Sequence, residues 1–250
     1  MIYKEKKMLK VYVTMIVNNG LLIARREDMQ SVIFDFNGTL FKDSELHECA
    51  WQKFIQELIG RKFTEAEFDQ IHGRTNHLNM EAILGKKLTS KESATLSEKK
   101  EAIYRQLVLK NQHPHLIEGV TDYFDFLIER RQPMNIATAS PKVNLDFYFE
   151  LFHLEKWFDY KQVVYNDGLL KSKPAPDFYV QAALNVGTDP KKSIIFEDSP
   201  IGLQGAYNAQ ANQIIAIATD NNYEKLEKTG VVDFIIDDFT DPRIKKILSK

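Results

Sequence analysis

The chain has 250 residues, 44% of them hydrophobic and 27% charged, which allows one sizeable core with a smaller inserted module and excludes a disordered polypeptide. Its 33 basic residues nearly balance its 35 acidic ones, and a net charge of −2 argues against nucleic acid or an anionic membrane as the main partner. The single cysteine, Cys49, excludes an internal disulfide, fits a reducing compartment and is expected to be a small buried residue.

The opening stretch MIYKEKKMLKVYVTMIVNNG sets lysines before an apolar run, but Thr14 interrupts that run and no small-residue cleavage pattern follows. No run approaches the ~18 apolar residues of a membrane helix, so a cytoplasmic protein is expected. Within residues 11–26, β-branched residues flank Asn18-Asn19-Gly20, which predicts a β-hairpin in an N-terminal extension over residues 1–30. Short apolar runs then recur at 32–36, 134–139, 194–197, 214–218 and 234–236, with a weaker one at 163–165. Continuous runs of this kind read as buried parallel strands, and the helical patterns between them as right-handed crossovers. The fold class is therefore α/β, a doubly wound, Rossmann-like, mainly parallel sheet.

One interval breaks that rhythm. Between Leu40 and Ile117 no strand pattern stands out, whereas Leu46, Ala50, Phe54 and Leu58 recur at spacing four, with Trp51, Ile55 and Ile59 widening the stripe. Asp43 or Ser44 can cap the start of this helix and Gly60 its end. Further helical segments are expected near 64–71, 78–84 and 91–110. A helical insertion after the first strand lies over the C-terminal edge of the sheet, where α/β folds bind ligands. Residues 43–116 are thus expected to form a helical cap on a core built from 31–42 and 117–250.

Four stretches fall at predicted strand ends and should converge. Asp35-Phe36-Asn37-Gly38-Thr39 delivers a carboxylate able to attack phosphorus, into a turn whose glycine lets backbone N–H groups face phosphate oxygens. An ordinary Asx turn would have the same residues. Ile136-Ala137-Thr138-Ala139-Ser140 offers hydroxyls to a phosphoryl oxygen. Lys171-Ser172-Lys173-Pro174-Ala175-Pro176 is a stiffened basic loop whose lysine could neutralise nucleophile and phosphate alike. Ile195-Phe196-Glu197-Asp198-Ser199-Pro200 ends a buried strand on two adjacent acids, costly to bury without a cation. Mg²⁺ takes one or two carboxylates plus phosphate and water oxygens, which Asp35 and Asp198 would supply. The competing reading makes Asp198 and Ser199 mere caps of the next helix.

In this order, and each on a strand end, the four stretches resemble the haloacid dehalogenase superfamily from Ser31 to about Asp238. The resemblance implies that Asp35 is the nucleophile, Thr138 a phosphate-binding hydroxyl, and Lys173 the charge-balancing lysine. It makes Asp198, beside Glu197, a Mg²⁺ ligand together with Asp35 and the backbone carbonyl of Asn37. Gly38, Thr39 and Ser140 would contact the substrate's phosphate. The insertion is similar to the small α-helical cap of phosphoglycolate phosphatases and β-phosphoglucomutases. His47, Trp51 and Lys100 fall where the β-phosphoglucomutase branch has a cap histidine, tryptophan and lysine. That branch's substrate-gripping arginine corresponds to Asn76, with Arg74 displaced by two residues. The acidic pair sets the chain apart from dehalogenating members, and the lack of a lysine near Gly73-Arg74 from phosphonate-cleaving ones.

The family's second aspartate, which protonates the leaving oxygen and then activates water, is replaced by Asn37. An amide does neither, and general acid–base catalysis is worth about 10²–10⁴-fold, so turnover should fall by that order unless another group substitutes. His47 is such a group only if cap closure brings it within about 3 Å of the reacting oxygen. The expected protein is a Mg²⁺-dependent phosphatase working through an aspartyl-phosphate on a small phosphorylated metabolite such as a sugar phosphate. It is expected to be a monomer or weak dimer without nucleic-acid or membrane partners. A β-phosphoglucomutase-like isomerase and a non-catalytic phosphometabolite-binding protein are the alternatives; the second has no need of the nucleophile.

Overall fold

The computed structural model describes residues 29–62, 64, 67, 74–111 and 113–249. The hairpin expected at 11–26, and most of the helical segment expected near 64–71, lie outside the described residues. The rest folds around a six-stranded sheet in the order β3-β2-β1-β4-β5-β6, with every neighbouring pair parallel. The strands are β1 (Ser31–Phe34), β2 (Met134–Pro141), β3 (Val164–Asn166), β4 (Ser193–Glu197), β5 (Gln213–Ile217) and β6 (Phe234–Ile236).

All four residues of β1 are buried because both faces of the sheet are covered. Val32 and Phe34 point into one apolar cluster with Phe124, Phe196 and Phe239, while Ile33 points into another with Phe178, Ala182 and Leu203. That two-sided burial is why the strand reads as an unbroken apolar run rather than an alternating one. Phe34 stacks on Phe196 of the adjacent strand at a centroid distance of 5.2 Å and meets Phe124 edge-on at 5.3 Å. Such packing fixes the level at which the chain leaves the sheet. Chain direction across the sheet reverses between β1 and β4, the kind of switch point at which open α/β sheets form a crevice.

Helices α1 (Ser44–Ile59), α2 (Asn76–Leu84) and α3 (Ser90–Lys110) follow β1, and among the described residues no sheet strand intervenes before β2. They share a small cluster of their own: Trp51, Phe54 and Ile55 from α1, Met80 from α2, and Leu88. Helix α3 begins with a reciprocal capping box between Thr89 and Glu92, and its Tyr104 and Val108 enter the sheet's cluster. The chain rejoins the core beside its point of departure, through Ile117 N–H to Leu40 O at 2.9 Å. Cys49 is exposed, not buried, because it lies off the inward stripe of α1 that carries Ala50, Trp51 and Phe54.

The remaining helices cover the sheet. Helices α4 (Val120–Glu129) and α5 (Lys142–Phe152) pack on one face, α6 (Asp177–Asn185) and α7 (Pro200–Asn208) on the other. Two short helices, α8 (Tyr223–Glu227) and α9 (Arg243–Lys246), flank β6 in sequence. Among the described residues, no helix is long and apolar enough to cross a membrane.

Candidate active site

Register places the site. Phe34 pairs with Phe196, and Asp35 N–H donates to Phe196 O at 3.0 Å, so Asp35 and the acids ending β4 emerge side by side. Lys173, almost fully buried, bridges them: its Nζ lies 2.6 Å from Asp35 Oδ1 and 2.8 Å from Glu197 Oε1, with the Tyr179 ring below at 4.8 Å. Glu197 is also held by Tyr179 Oη at 3.1 Å and by the backbone N–H and hydroxyl of Ser199 at 2.7 and 3.1 Å. Ser199 in turn caps α7 by accepting from Gly202 N–H at 3.1 Å. A Cβ on Gly202 would stand 1.7 Å from Glu197 Oε1, so the glycine makes room for the carboxylate.

Asp198 faces this group from the other side, with Thr39 Oγ1 donating to its Oδ1 at 2.8 Å. Gly38 is left-handed at φ +80°, and a Cβ there would lie 2.1 Å from Asp198 Oδ2. Only glycine satisfies both the turn and the close approach. Carboxylate oxygens of Asp35, Glu197 and Asp198 lie within 4.8 Å of one another, against a single buried ammonium. Burial pushes the Asp35 carboxyl up to about 7, against the pull of Lys173 and with Glu197 adding to the rise. Burial also holds Asp198 well above the usual carboxylate range, reinforced by Glu197 and Asp35. For Lys173, burial alone would lower the pKa, but Asp35 and Glu197 outweigh it and hold the ammonium above its usual value. Clustered hard oxygen donors with surplus negative charge are the chemistry that suits Mg²⁺. Asp35 and Asp198 fit that ion better than Glu197, whose two oxygens already accept from Lys173, Tyr179 and Ser199.

The Asn37 amide joins two parts of the site. Its Oδ1 accepts from Ser140 Oγ at 2.7 Å and, more weakly, from Thr138 Oγ1 at 3.5 Å. Its Nδ2 donates to Asp43 Oδ2 at 2.6 Å and to Tyr148 Oη at 2.7 Å. The acceptor-only carboxylate at one end fixes which end of the amide is nitrogen. Asp43 is 1% exposed and occupies the N-cap position of α1, yet its side chain makes no capping bond. Instead Oδ1 accepts from Gly38 N–H at 3.0 Å and Oδ2 from Tyr104 Oη at 2.5 Å. Gly38 N–H also reaches Phe41 O at 2.8 Å, so Gly38 N–H and the Thr39 hydroxyl, both expected on the substrate, are engaged inside the turn.

Helices α1 and α3 supply the opposite wall. His47 stacks on Tyr104 at 3.9 Å and 8°, its Nδ1 2.7 Å from Lys100 Nζ and its Nε2 3.4 Å from Asp43 Oδ2. An ammonium can only donate, so Nδ1 accepts and the ring proton belongs on Nε2, toward Asp43. Burial lowers the Lys100 pKa although Glu101, 3.0 Å away, opposes it. Burial would raise Glu101, but Lys100 and His47 outweigh it and hold this carboxyl low. Asn76 and Asn144 each donate to Glu101 at 2.6 Å, the second from α5 across the gap between the two groups of helices.

Asp35, Asn37, His47, Arg74, Asn76, Lys100, Thr138, Ser140 and Asp198 line one cavity, together with Trp51. Gly38, Thr39, Lys173 and Glu197 stand behind that lining. Sequence reasoning missed Asp43, Glu101, Tyr104 and Tyr148. Tyr104 had a signal, since it follows Lys100 by four residues on the same helical face. Asp43 did not, because an acid at a helix start ordinarily reads as a cap.

Residues 32–217 match the family described as Haloacid dehalogenase-like hydrolase. The chain is 26% identical over 212 residues to a phosphorylated carbohydrates phosphatase of Thermotoga maritima, covering 83% of this chain and 94% of that protein. It is 27% identical over 189 residues to a beta-phosphoglucomutase of Bacillus subtilis, covering 72% and 80%. A crystal structure of a HAD hydrolase, family IA, variant 3, from Entamoeba histolytica superposes with a TM-score of 0.79 at 33% identity, over 88% of this chain and 98% of that one.

Proposed function

This chain belongs to the haloacid dehalogenase-like hydrolase family and is an enzyme, and from that premise we propose that it is a Mg²⁺-dependent phosphomonoester hydrolase acting on a small phosphorylated carbohydrate. The observation that carries the reading is Asp35, a strand-end carboxylate oriented by Lys173 and facing Asp198 in the cavity that Thr138 and Ser140 also line. Asp35 attacks phosphorus, the ester P–O bond breaks, and water then releases phosphate from the aspartyl-phosphate. Lys173 opposes the burial that disfavours the ionised Asp35 carboxyl and aims it, while the Thr138 and Ser140 hydroxyls hold phosphoryl oxygens. Asp35, Asp198 and the Asn37 backbone carbonyl would hold Mg²⁺, which when bound supplies charge neutralisation at the phosphate. Helices α1–α3, within residues 43–116, serve as the cap that excludes water from this chemistry.

The relatives act on phosphorylated carbohydrates by name, which supports that substrate class. An isomerase of the β-phosphoglucomutase kind is the second reading, favoured by His47, Trp51 and Lys100 on the cavity wall. A panel of sugar phosphates assayed with and without Mg²⁺ separates the two. Free phosphate released only with Mg²⁺ supports the hydrolase, and an isomeric sugar phosphate in place of free phosphate supports the isomerase. No turnover of any member would defeat both.

A further inference from the structure

Asn76, the first residue of α2, is 9% exposed and lines the cavity that Asp35 and Asp198 also line. Both N–H groups of its amide are engaged inside the protein: Nδ2 donates to Glu101 Oε1 at 2.6 Å and to Ser97 Oγ at 2.8 Å. A carboxylate only accepts, which settles that the nitrogen, and not the oxygen, faces Glu101. Among the described residues no donor reaches Asn76 Oδ1, and this oxygen is not one of the sealed unpartnered atoms, so it opens on the cavity. We propose that Asn76 Oδ1 accepts a hydrogen bond from a substrate hydroxyl, and that the enzyme therefore takes the monophosphate of a polyhydroxy compound and discriminates against a bisphosphate. The inference rests on the phosphatase reading above and deepens it.

Two contacts fix this oxygen relative to the reacting end. Thr75 N–H donates to Ser172 Oγ at 3.0 Å, beside Lys173, whose Nζ holds Asp35. Glu101, which orients the Asn76 amide, is held in turn by Lys100 at 3.0 Å and by Asn144 at 2.6 Å. Asn144 belongs to α5, the helix that follows Thr138 and Ser140 in the chain. An acceptor held in this way selects by its chemistry. It takes an O–H group, and it offers nothing to the unprotonated oxygens of a phosphate.

The charges of the cavity lead to the same substrate. Its lining carries the carboxyl groups of Asp35, Asp43, Glu101 and Asp198, with Glu197 behind them. The cations set against these five are Arg74 and Lys100 on the lining and Lys173 behind it. Lys100 is engaged with Glu101 and His47, and Lys173 with Asp35 and Glu197. With Mg²⁺ bound the carboxylates are no more than balanced, so the first phosphate already leaves the cavity negative. A second would be buried without a surplus cation to meet it.

The test uses the full chain with Mg²⁺ on p-nitrophenyl phosphate, which has no hydroxyl to offer, and on the sugar monophosphate of the panel turned over fastest. It adds that sugar's single-deoxy forms and its bisphosphate. Wild type should show a kcat/KM lower by about tenfold or more for the bisphosphate. At least one deoxy form should lose about 5–100-fold, because Asn76 Oδ1 is left without its partner. In Asn76→Ala that same deletion should cost less than about fivefold. A merely structural Asn76 would lower every substrate alike and leave each deoxy loss in place. No deoxy loss of about fivefold in wild type, losses that all persist in Asn76→Ala, or a bisphosphate within about tenfold of the monophosphate each overturn the inference alone. If Asn76→Ala does not fold, the wild-type deoxy and bisphosphate comparisons decide by the same limits. Phosphate released from p-nitrophenyl phosphate but from no sugar monophosphate overturns the inference and leaves the hydrolase standing. Wild type that releases phosphate from none of these compounds overturns the phosphatase reading, and this inference with it.

Discussion

The two walls of the cavity are built on opposite principles. On the sheet side, Asp35, Lys173, Glu197 and Asp198 emerge from strand ends and one loop, and an excess of negative charge is concentrated around a single ammonium. On the helical side, Asp43, His47, Lys100, Glu101 and Tyr104 are linked pair by pair, so that charges and donors largely satisfy one another. The first wall is left short of positive charge, which suits a cation and a phosphate. The second is nearly self-sufficient, which suits orienting a substrate. Asn37 touches both walls and connects them.

If that contrast is right, removing the ammonium should do the most damage. Lys173→Met strands Asp35 and Glu197 as buried carboxylates without their cation, and breaking such a pair costs about 3–5 kcal/mol. Denaturant unfolding should show that loss, together with loss of phosphatase activity. A variant as stable as wild type would mean that the sheet-side wall is not under the charge strain described. Gly38→Ala should act more narrowly, because its Cβ displaces the Asp198 carboxylate while Lys173 keeps its partners. Mg²⁺ affinity measured by calorimetry should fall about 10–100-fold, with the Lys100–His47 side intact.

The smallest effect is that of pH. Asp35 is protonated below about 7 in the metal-free protein, and its proton competes with Mg²⁺. Mg²⁺ affinity should therefore rise steeply with pH below that point, by about tenfold per pH unit. The stability sign runs the same way. A carboxyl raised from 3.8 to about 7 on folding costs the metal-free protein stability as pH rises through that window. Added Mg²⁺ should thus raise the melting temperature more at alkaline than at mildly acidic pH; an equal shift at both would contradict the sheet-side account.

What the sequence made legible follows the same division. Strands β1, β2 and β4 carry their functional residues within a few positions of an apolar run, so Asp35, Thr138, Glu197 and Asp198 could be read by eye. Lys173 was readable because its prolines mark a stiff loop before α6. On the helical side, the contacts that close the wall span separate elements: Asp43 meets Tyr104 across 61 positions, and Glu101 meets Asn144 across 43. No local pattern encodes such pairs. Asp43 was hidden further by standing where a helix cap belongs, and only the direction of its side chain, toward Gly38, Asn37 and Tyr104, shows that it is not one.

Whether Asp35 takes the phosphoryl group can be read by acid-quenching the enzyme during turnover of a sugar phosphate with Mg²⁺ and sequencing the peptide that contains residues 31–42 by mass spectrometry. A phosphoryl group on Asp35, absent when Mg²⁺ is withheld and absent in Asp35→Asn, is the predicted result. Continued phosphate release by Asp35→Asn at the wild-type rate would contradict it.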